Sequence, residues 1–163
     1  MKSQLEIITE LVETYHAGQF RRDGKPYKTH LDFVSEYVYE HRYAVLSQQS
    51  WKALFIPEKM DMIQAAAMGH DLLEDTDITE EIMIFHGVHP TVINWIKQLS
   101  RKKGESYFDF IMRLREPAVV AIKLADLHHN STDNAKEGSL LDKYRFAEYH
   151  LKQLVKNNYN LTL

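Results

Sequence analysis

Cysteine is absent from this chain, which excludes disulfides and every thiolate metal site. A metal held here must rest on imidazole and carboxylate, ligands that suit Mn, Fe, Zn or Mg. Long apolar runs are absent too, and a bilayer-crossing helix needs about 20 such residues. The opening MKSQLEIITELVETYH carries charges every few positions, so it reads as neither a signal peptide nor a membrane span. The expectation is a soluble, cytoplasmic protein with no membrane partner. A basic excess is also missing: the net charge is −3, which argues against wholesale nucleic-acid binding. Repeats, low-complexity segments and linkers do not occur. What remains is 163 residues, 44% hydrophobic and 26% charged. That is an ordinary globular composition, long enough for one domain with a real core.

Apolar residues recur at helical spacing. Leu5, Ile8, Leu11, Val12 and Tyr15 make one stripe of a first helix, with Ser3 as its N-cap. GQFRRDGKPYKT, with two glycines and a proline, reads as a loop. Thr29 is placed to cap a second helix bearing Leu31, Val34, Tyr37 and Val38. SQQSWKALFIPE is a connection, and residues 58 to 73 form the next helix with Met62, Ile63, Ala66 and Ala67 inward. A short helix in TEEIMIFHG ends at Gly87, and Pro90 opens another that stops near Ser100. Ser106 starts a helix through Arg115, Pro117 starts the apolar AVVAIKLADLHHN helix, and Gly138 lies in a loop. A last helix runs from about Leu140 to Asn157. The expected fold is all-α, one domain over residues 1 to 163.

The chemistry concentrates in AAAMGHDLLEDTDIT, residues 65 to 79. An apolar, alanine-rich helix there ends in His70-Asp71 and then Glu74-Asp75. A divalent ion needs ligands that converge from separate elements, and the chain offers them on three helices. His70 and Asp71 close one apolar helix, Asp126 is embedded in another, and His30 follows the loop. Burying Asp126 unpaired would cost several kcal/mol, so it requires a metal, a cation such as Lys123, a histidine or strong donors. Glu74 and Asp75 can equally be a solvated acidic helix end.

Four segments, in order, resemble the HD-domain phosphohydrolases, and within them the RelA/SpoT-type alarmone hydrolases. They are YHAGQFRRDGKPYKTH, AAAMGHDLLEDTDIT, FHGVHPTVINWIKQLSRKKGESYFDFI and VVAIKLADLHHN. The resemblance spans residues about 11 to 150 and implies a single HD-domain helical bundle. It implies His30, His70, Asp71 and Asp126 as ligands of one divalent metal per chain, usually Mn²⁺ in that subfamily. Glu74 and Asp75 match the pair that activates or orients the attacking water. Arg21, Arg22 and Asn130 match positions that contact the nucleotide. Arg101, Lys102 and Lys103 are a second anionic contact or only a charged turn, and Tyr107 stacks on a base or packs in the core. His128 and His129 read as supports of the site rather than ligands.

The pattern departs in two places. Leu31 stands where a proline is usual, and Thr132 stands where an arginine is expected, which removes a cation from the pocket. The implied activity is a metal-dependent nucleotide phosphohydrolase, foremost a (p)ppGpp 3′-pyrophosphohydrolase. A 5′-nucleotidase-like phosphohydrolase and a non-catalytic nucleotide-binding regulator are the alternatives. The sequence does not specify oligomeric state.

Overall fold

Ser3 opens the first helix with a reciprocal cap: its hydroxyl accepts from the Glu6 amide while the Glu6 carboxylate accepts from the Ser3 amide. From there the computed structural model describes residues 2–41, 57–133 and 139–159. Among them the secondary structure is helical: α1 (Gln4–Tyr15), α2 (Lys28–Glu40), α3 (Pro57–Met68), α4 (Leu72–Asp75), α5 (Glu80–Phe85), α6 (Pro90–Leu99), α7 (Tyr107–Arg113), α8 (Pro117–Asp133) and α9 (Ser139–Tyr159). The one β feature among these residues is an isolated antiparallel bridge from Phe20 to Pro26, which pinches the loop between α1 and α2. No described helix is long and apolar enough to cross a membrane.

Helix α3 is the hub. It packs against α1, α2, α6 and α8, and Ala65, Ala66 and Ala67 are all buried there. Small side chains at consecutive positions let helices approach on several faces. Asp61 fixes α1 on this hub by accepting from the Gln4 and Leu5 amides at 2.7 and 3.1 Å, two donors that a helix start leaves unsatisfied. Helix α8 lies against α2, α6 and α9. Ile8, Leu31, Ile63, Ile96 and Ile122 are fully buried between these helices, each contributing about 1.5–3 kcal/mol of apolar burial.

Several boundaries differ from the sequence expectation. Helix α2 begins at Lys28, so Thr29 sits inside its first turn, and the Thr29 hydroxyl donates to the Pro26 carbonyl instead of capping. The helix expected over residues 58 to 73 stops at Met68, and α4 follows as a separate turn. Gly69 stands at the break. A Cβ there would meet Ile8 Cγ2 and Ile96 Cδ1 at 3.0 Å and Leu72 Cδ1 at 3.1 Å, so these side chains would have to give way to any larger residue. Helix α7 ends at Arg113 rather than Arg115, and Met62 is half-buried rather than inward. Gly138 and most of the connection before Pro57 lie outside the described residues.

Candidate metal and active site

The break at Gly69 turns the chain so that His70 points inward while Asp71 faces an open cleft. His70 is 2% exposed, and its Nδ1 lies 2.7 Å from the Ala67 carbonyl oxygen. A carbonyl can only accept, so Nδ1 carries a proton and Nε2 is the nitrogen left to serve as a ligand. That Nε2 is buried and has no hydrogen-bond partner. It lies 3.1 Å from Asp71 Oδ2 and 3.8 Å from Asp126 Oδ1.

The other imidazole converges on the same point. His30, at the start of α2, is 2% exposed, and its Nε2 is 3.2 Å from Asp126 Oδ1 and 3.8 Å from Asp71 Oδ2. Its Nδ1 is 2.8 Å from Nδ1 of His129. A proton on His30 Nδ1 directed at His129 would leave Nε2 its lone pair for a cation. Ligand atoms of His30, His70 and Asp71 all lie within 4.8 Å of one another. Two imidazoles and two carboxylates facing one point, with a buried lone pair left over, fit a hard or borderline divalent cation. This His/Asp cluster is able to bind a metal.

Its electrostatics point the same way. Burial alone would push the His70 imidazole down, but Asp71 and then Asp126 outweigh it and raise the group to about 10. Burial opposes the charged form of Asp126, yet Lys123 and the two histidines hold its carboxyl well below the usual range. Lys123 Nζ donates to Asp126 Oδ2 at 2.7 Å. Asp71 is likewise lowered by His70 against its own desolvation. The pocket therefore keeps its carboxylates ionised and draws a second proton to His70, on the Nε2 whose lone pair a cation would take in its place.

A cleft of about 450 Å³ opens over the cluster. Asp71, Glu74, Asp75 and Asp126 line it together with Arg21, Arg22, Arg101, Lys123 and Lys143, and Phe20, Tyr107 and Tyr144 stand among them. Glu74 accepts from the Arg101 backbone amide at 3.0 Å. Asp75 faces Tyr27, whose hydroxyl is 3.1 Å from Asp75 Oδ2 and 2.6 Å from Asp71 Oδ2. Partial loss of water, then Asp71 and Glu74 nearby, raise the Asp75 carboxyl above its ordinary value.

No known family profile matches the chain. The guanosine-3′,5′-bis(diphosphate) 3′-pyrophosphohydrolase of Haemophilus influenzae is 31% identical over 126 residues, covering 71% of this chain but 16% of the relative. The chain thus spans about a sixth of that relative's length. A solved structure of a metazoan ortholog of SpoT, which hydrolyses ppGpp and plays a role in starvation responses, superposes with a TM-score of 0.70. That match has 19% identity and covers 98% of this chain and 89% of the other. The fold is that of the HD-domain hydrolases.

Within this HD fold, all nine residues expected at the site lie at or beside one cleft. His30, Asp71, Asp126, Glu74, Asp75, Arg21, Arg22 and Asn130 line it, and His70 sits behind Asp71. Asn130 is more engaged than expected: its Nδ2 donates to Asp126 Oδ1 at 2.6 Å, and its Oδ1 faces Arg21 at 3.5 Å. His129 supports His30, whereas His128 stacks on Tyr37 at 4.6 Å. Lys25 pairs with Asp23 and Lys28 with Asp32, and neither lysine is among the residues that line the cleft. Arg101 and Tyr107 do line it.

Sequence reasoning missed Tyr27, Lys143 and Tyr144. Tyr27 carried a usable signal, since it stands three residues before His30 where helix α2 begins, and such spacing shares a face. Lys143 and Tyr144 come from α9, and no local pattern announces them.

Proposed function

We propose that this chain is a cytoplasmic, metal-dependent phosphohydrolase, a single HD domain over residues 1 to 163, that cleaves the 3′-diphosphate from ppGpp or pppGpp. The products are pyrophosphate and GDP or GTP. The observation that carries this reading is the buried, partnerless Nε2 of His70, turned with His30 onto two carboxylates beneath a cation-lined cleft. The activity printed for the Haemophilus influenzae relative and for the metazoan structure supports the substrate.

His30, His70, Asp71 and Asp126 would hold one divalent cation, Mn²⁺ in this reading. When bound, it supplies Lewis-acid polarisation of a phosphoryl oxygen and lowers the pKa of water. The chain's own residues do the rest. Asp75 receives the proton of the attacking water, because its raised carboxyl faces the cluster and its partner there is a neutral hydroxyl. Glu74 fixes the Arg101 backbone at the mouth. Arg21, Arg22, Arg101 and Lys143 take up the purine and the phosphate charge, tasks that suit planar guanidinium and ammonium groups. Asn130 and Lys123 hold Asp126 in place.

A second reading keeps the chemistry and changes the substrate to another nucleotide, as in a 5′-nucleotidase-like enzyme. Thr132 favours it: its exposed hydroxyl donates to carbonyls of His128 and His129 and adds no charge to the cleft. A non-catalytic nucleotide-binding regulator has no need of four converging ligands with an acidic pair beside them.

The test is Mn²⁺-dependent turnover of a panel of ppGpp, pppGpp, ppApp, ordinary nucleotides and 3′-phosphorylated nucleotides, resolved by ion exchange. Pyrophosphate release from ppGpp, lost in Asp71→Ala, is the expected result. Orthophosphate release from another nucleotide, with ppGpp intact, would transfer the assignment to the second reading.

A further inference from the structure

Tyr27 is the least expected residue at the cleft. Its phenol oxygen stands 2.6 Å from Asp71 Oδ2 and 3.1 Å from Asp75 Oδ2. Asp71 belongs to the metal cluster and Asp75 to the acidic pair, so one hydroxyl touches both halves of the machinery. A phenol has a single proton to give, and two carboxylate oxygens face it. The O–H is shared between them, most strongly with Asp71 at the shorter contact.

The segment from His16 to Tyr27 is built to hold this hydroxyl. The Tyr27 ring stacks on the buried His16 imidazole, with centroids 5.1 Å apart and planes inclined by 16°. His16 Nδ1 donates to Gln19 Oε1 at 2.7 Å, and the Tyr27 amide donates to the Gln19 carbonyl at 2.9 Å. Gln19 Nε2 donates in turn to the Asp75 backbone carbonyl at 3.1 Å. Asp75 is thus gripped at two points by one loop, at its carboxylate by Tyr27 and at its backbone by Gln19.

We propose that Tyr27 is the positioning residue of Asp75, with His16 and Gln19 holding Tyr27 and the Asp75 backbone in register. The proposal rests on the phosphohydrolase reading above. In the step it serves, water oxygen bonds to phosphorus, the phosphorus–O3′ bond breaks, and the leaving O3′ takes a proton from solvent. One water proton passes to the Asp75 carboxylate. Neutral Asp75 then donates to the Tyr27 oxygen, while the Tyr27 O–H donates to Asp71 alone. The neutral acid finds an acceptor already in place, and no carboxylate has to turn.

Tyr27→Phe isolates the hydroxyl, because the phenyl ring keeps its stack on His16. At saturating Mn²⁺, kcat for pyrophosphate release from ppGpp is expected to fall about 10–100-fold, the usual scale for a supporting residue. KM is expected to stay within about threefold, as for loss of a contact that acts on the chemical step. In an Asp75→Asn background the same substitution is expected to add almost nothing, since the two act as one unit. Gln19→Ala is expected to lower kcat in the same direction.

Calorimetric Mn²⁺ titration and a melting curve of each variant separate a positioning role from lost metal affinity and from lost stability. A kcat for Tyr27→Phe that saturating Mn²⁺ restores would overturn the proposal, because the hydroxyl would then act only through Asp71. Full additivity with Asp75→Asn, or a rise in KM at unchanged kcat, would overturn it equally. A wild type that turns over no nucleotide defeats the phosphohydrolase reading and this proposal with it. An active wild type with an unimpaired Tyr27→Phe defeats only the positioning role.

Discussion

Asn130 Nδ2 donates to Asp126 Oδ1 at 2.6 Å, and the same Asp126 oxygen faces the Nε2 atoms of both histidines. The two residues stand one turn apart on α8, so the helix itself sets this geometry. Asn130 therefore orients a metal-facing carboxylate as well as lining the cleft. Asn130→Ala is expected to weaken Mn²⁺ binding about 10–100-fold, the scale for groups that orient ligands. Isothermal titration calorimetry checks this without substrate, and an unchanged affinity would confine Asn130 to nucleotide contact.

Glu74 and Asp75 are adjacent but differently employed. Asp75 turns to Tyr27 and the cluster, whereas Glu74 binds the Arg101 amide. Asp75→Asn is expected to cut kcat about 10²–10⁴-fold, the range for a lost general base. Glu74→Gln is expected to act mainly on KM, by loosening Arg101 at the mouth. Steady-state kinetics of the two variants on one substrate decide between them, and a reversed pattern would exchange their roles.

Much of this was legible beforehand because it is local. Ser3, Ser106 and Pro90 marked helix starts through capping and ring geometry, and the structure uses all three. The nine candidate residues were legible as a set through their resemblance to a family, and the fold brings them to one cleft. What was hidden depends on packing at a distance. Nothing local shows that a side chain at position 69 would strike Ile8 and Ile96, so the break before His70 read as continuous helix. Thr29 looked like a cap because its type suits one, yet the backbone turns helical a residue earlier. Lys143 reaches the cleft only through the docking of α9.

Gly69→Ala tests that packing argument. The methyl would press on three apolar side chains at 3.0–3.1 Å, and overpacking of this kind costs about 1–3 kcal/mol. Urea unfolding is expected to show that loss, together with weakened Mn²⁺ binding because His70 and Asp71 follow directly. Wild-type stability in Gly69→Ala would mean that the neighbours yield freely.

Acid sensitivity has an identifiable source at the loop carrying Arg101. Arg113 donates to Glu105 Oε1 and Oε2 at 2.7 and 3.1 Å, and to the carbonyls of Gln98 and Ser100 at 2.7 and 2.9 Å. The Arg113 contact holds the Glu105 carboxyl below its ordinary value of 4.5. A carboxyl lowered by folding stabilises the fold above its unfolded value and loses that contribution as pH falls through the folded one. Glu105→Gln is expected to cost roughly 0.5–1.5 kcal/mol near neutral pH, since water still reaches the pair. The gap from wild type is expected to close below pH 4.5. Chemical denaturation at several pH values reads this, and a gap that persists in acid would contradict it.

The central claim, that a metal held by His30, His70, Asp71 and Asp126 serves removal of the 3′-diphosphate, is met most directly by following ppGpp in ³¹P NMR of quenched aliquots freed of Mn²⁺. One reaction would hold the protein with Mn²⁺, the other the same mixture with a chelator in excess. Equal amounts of pyrophosphate and GDP, formed with Mn²⁺ and absent under chelation, are the predicted result. Unchanged ppGpp in the presence of Mn²⁺, or turnover that ignores the chelator, would contradict the account.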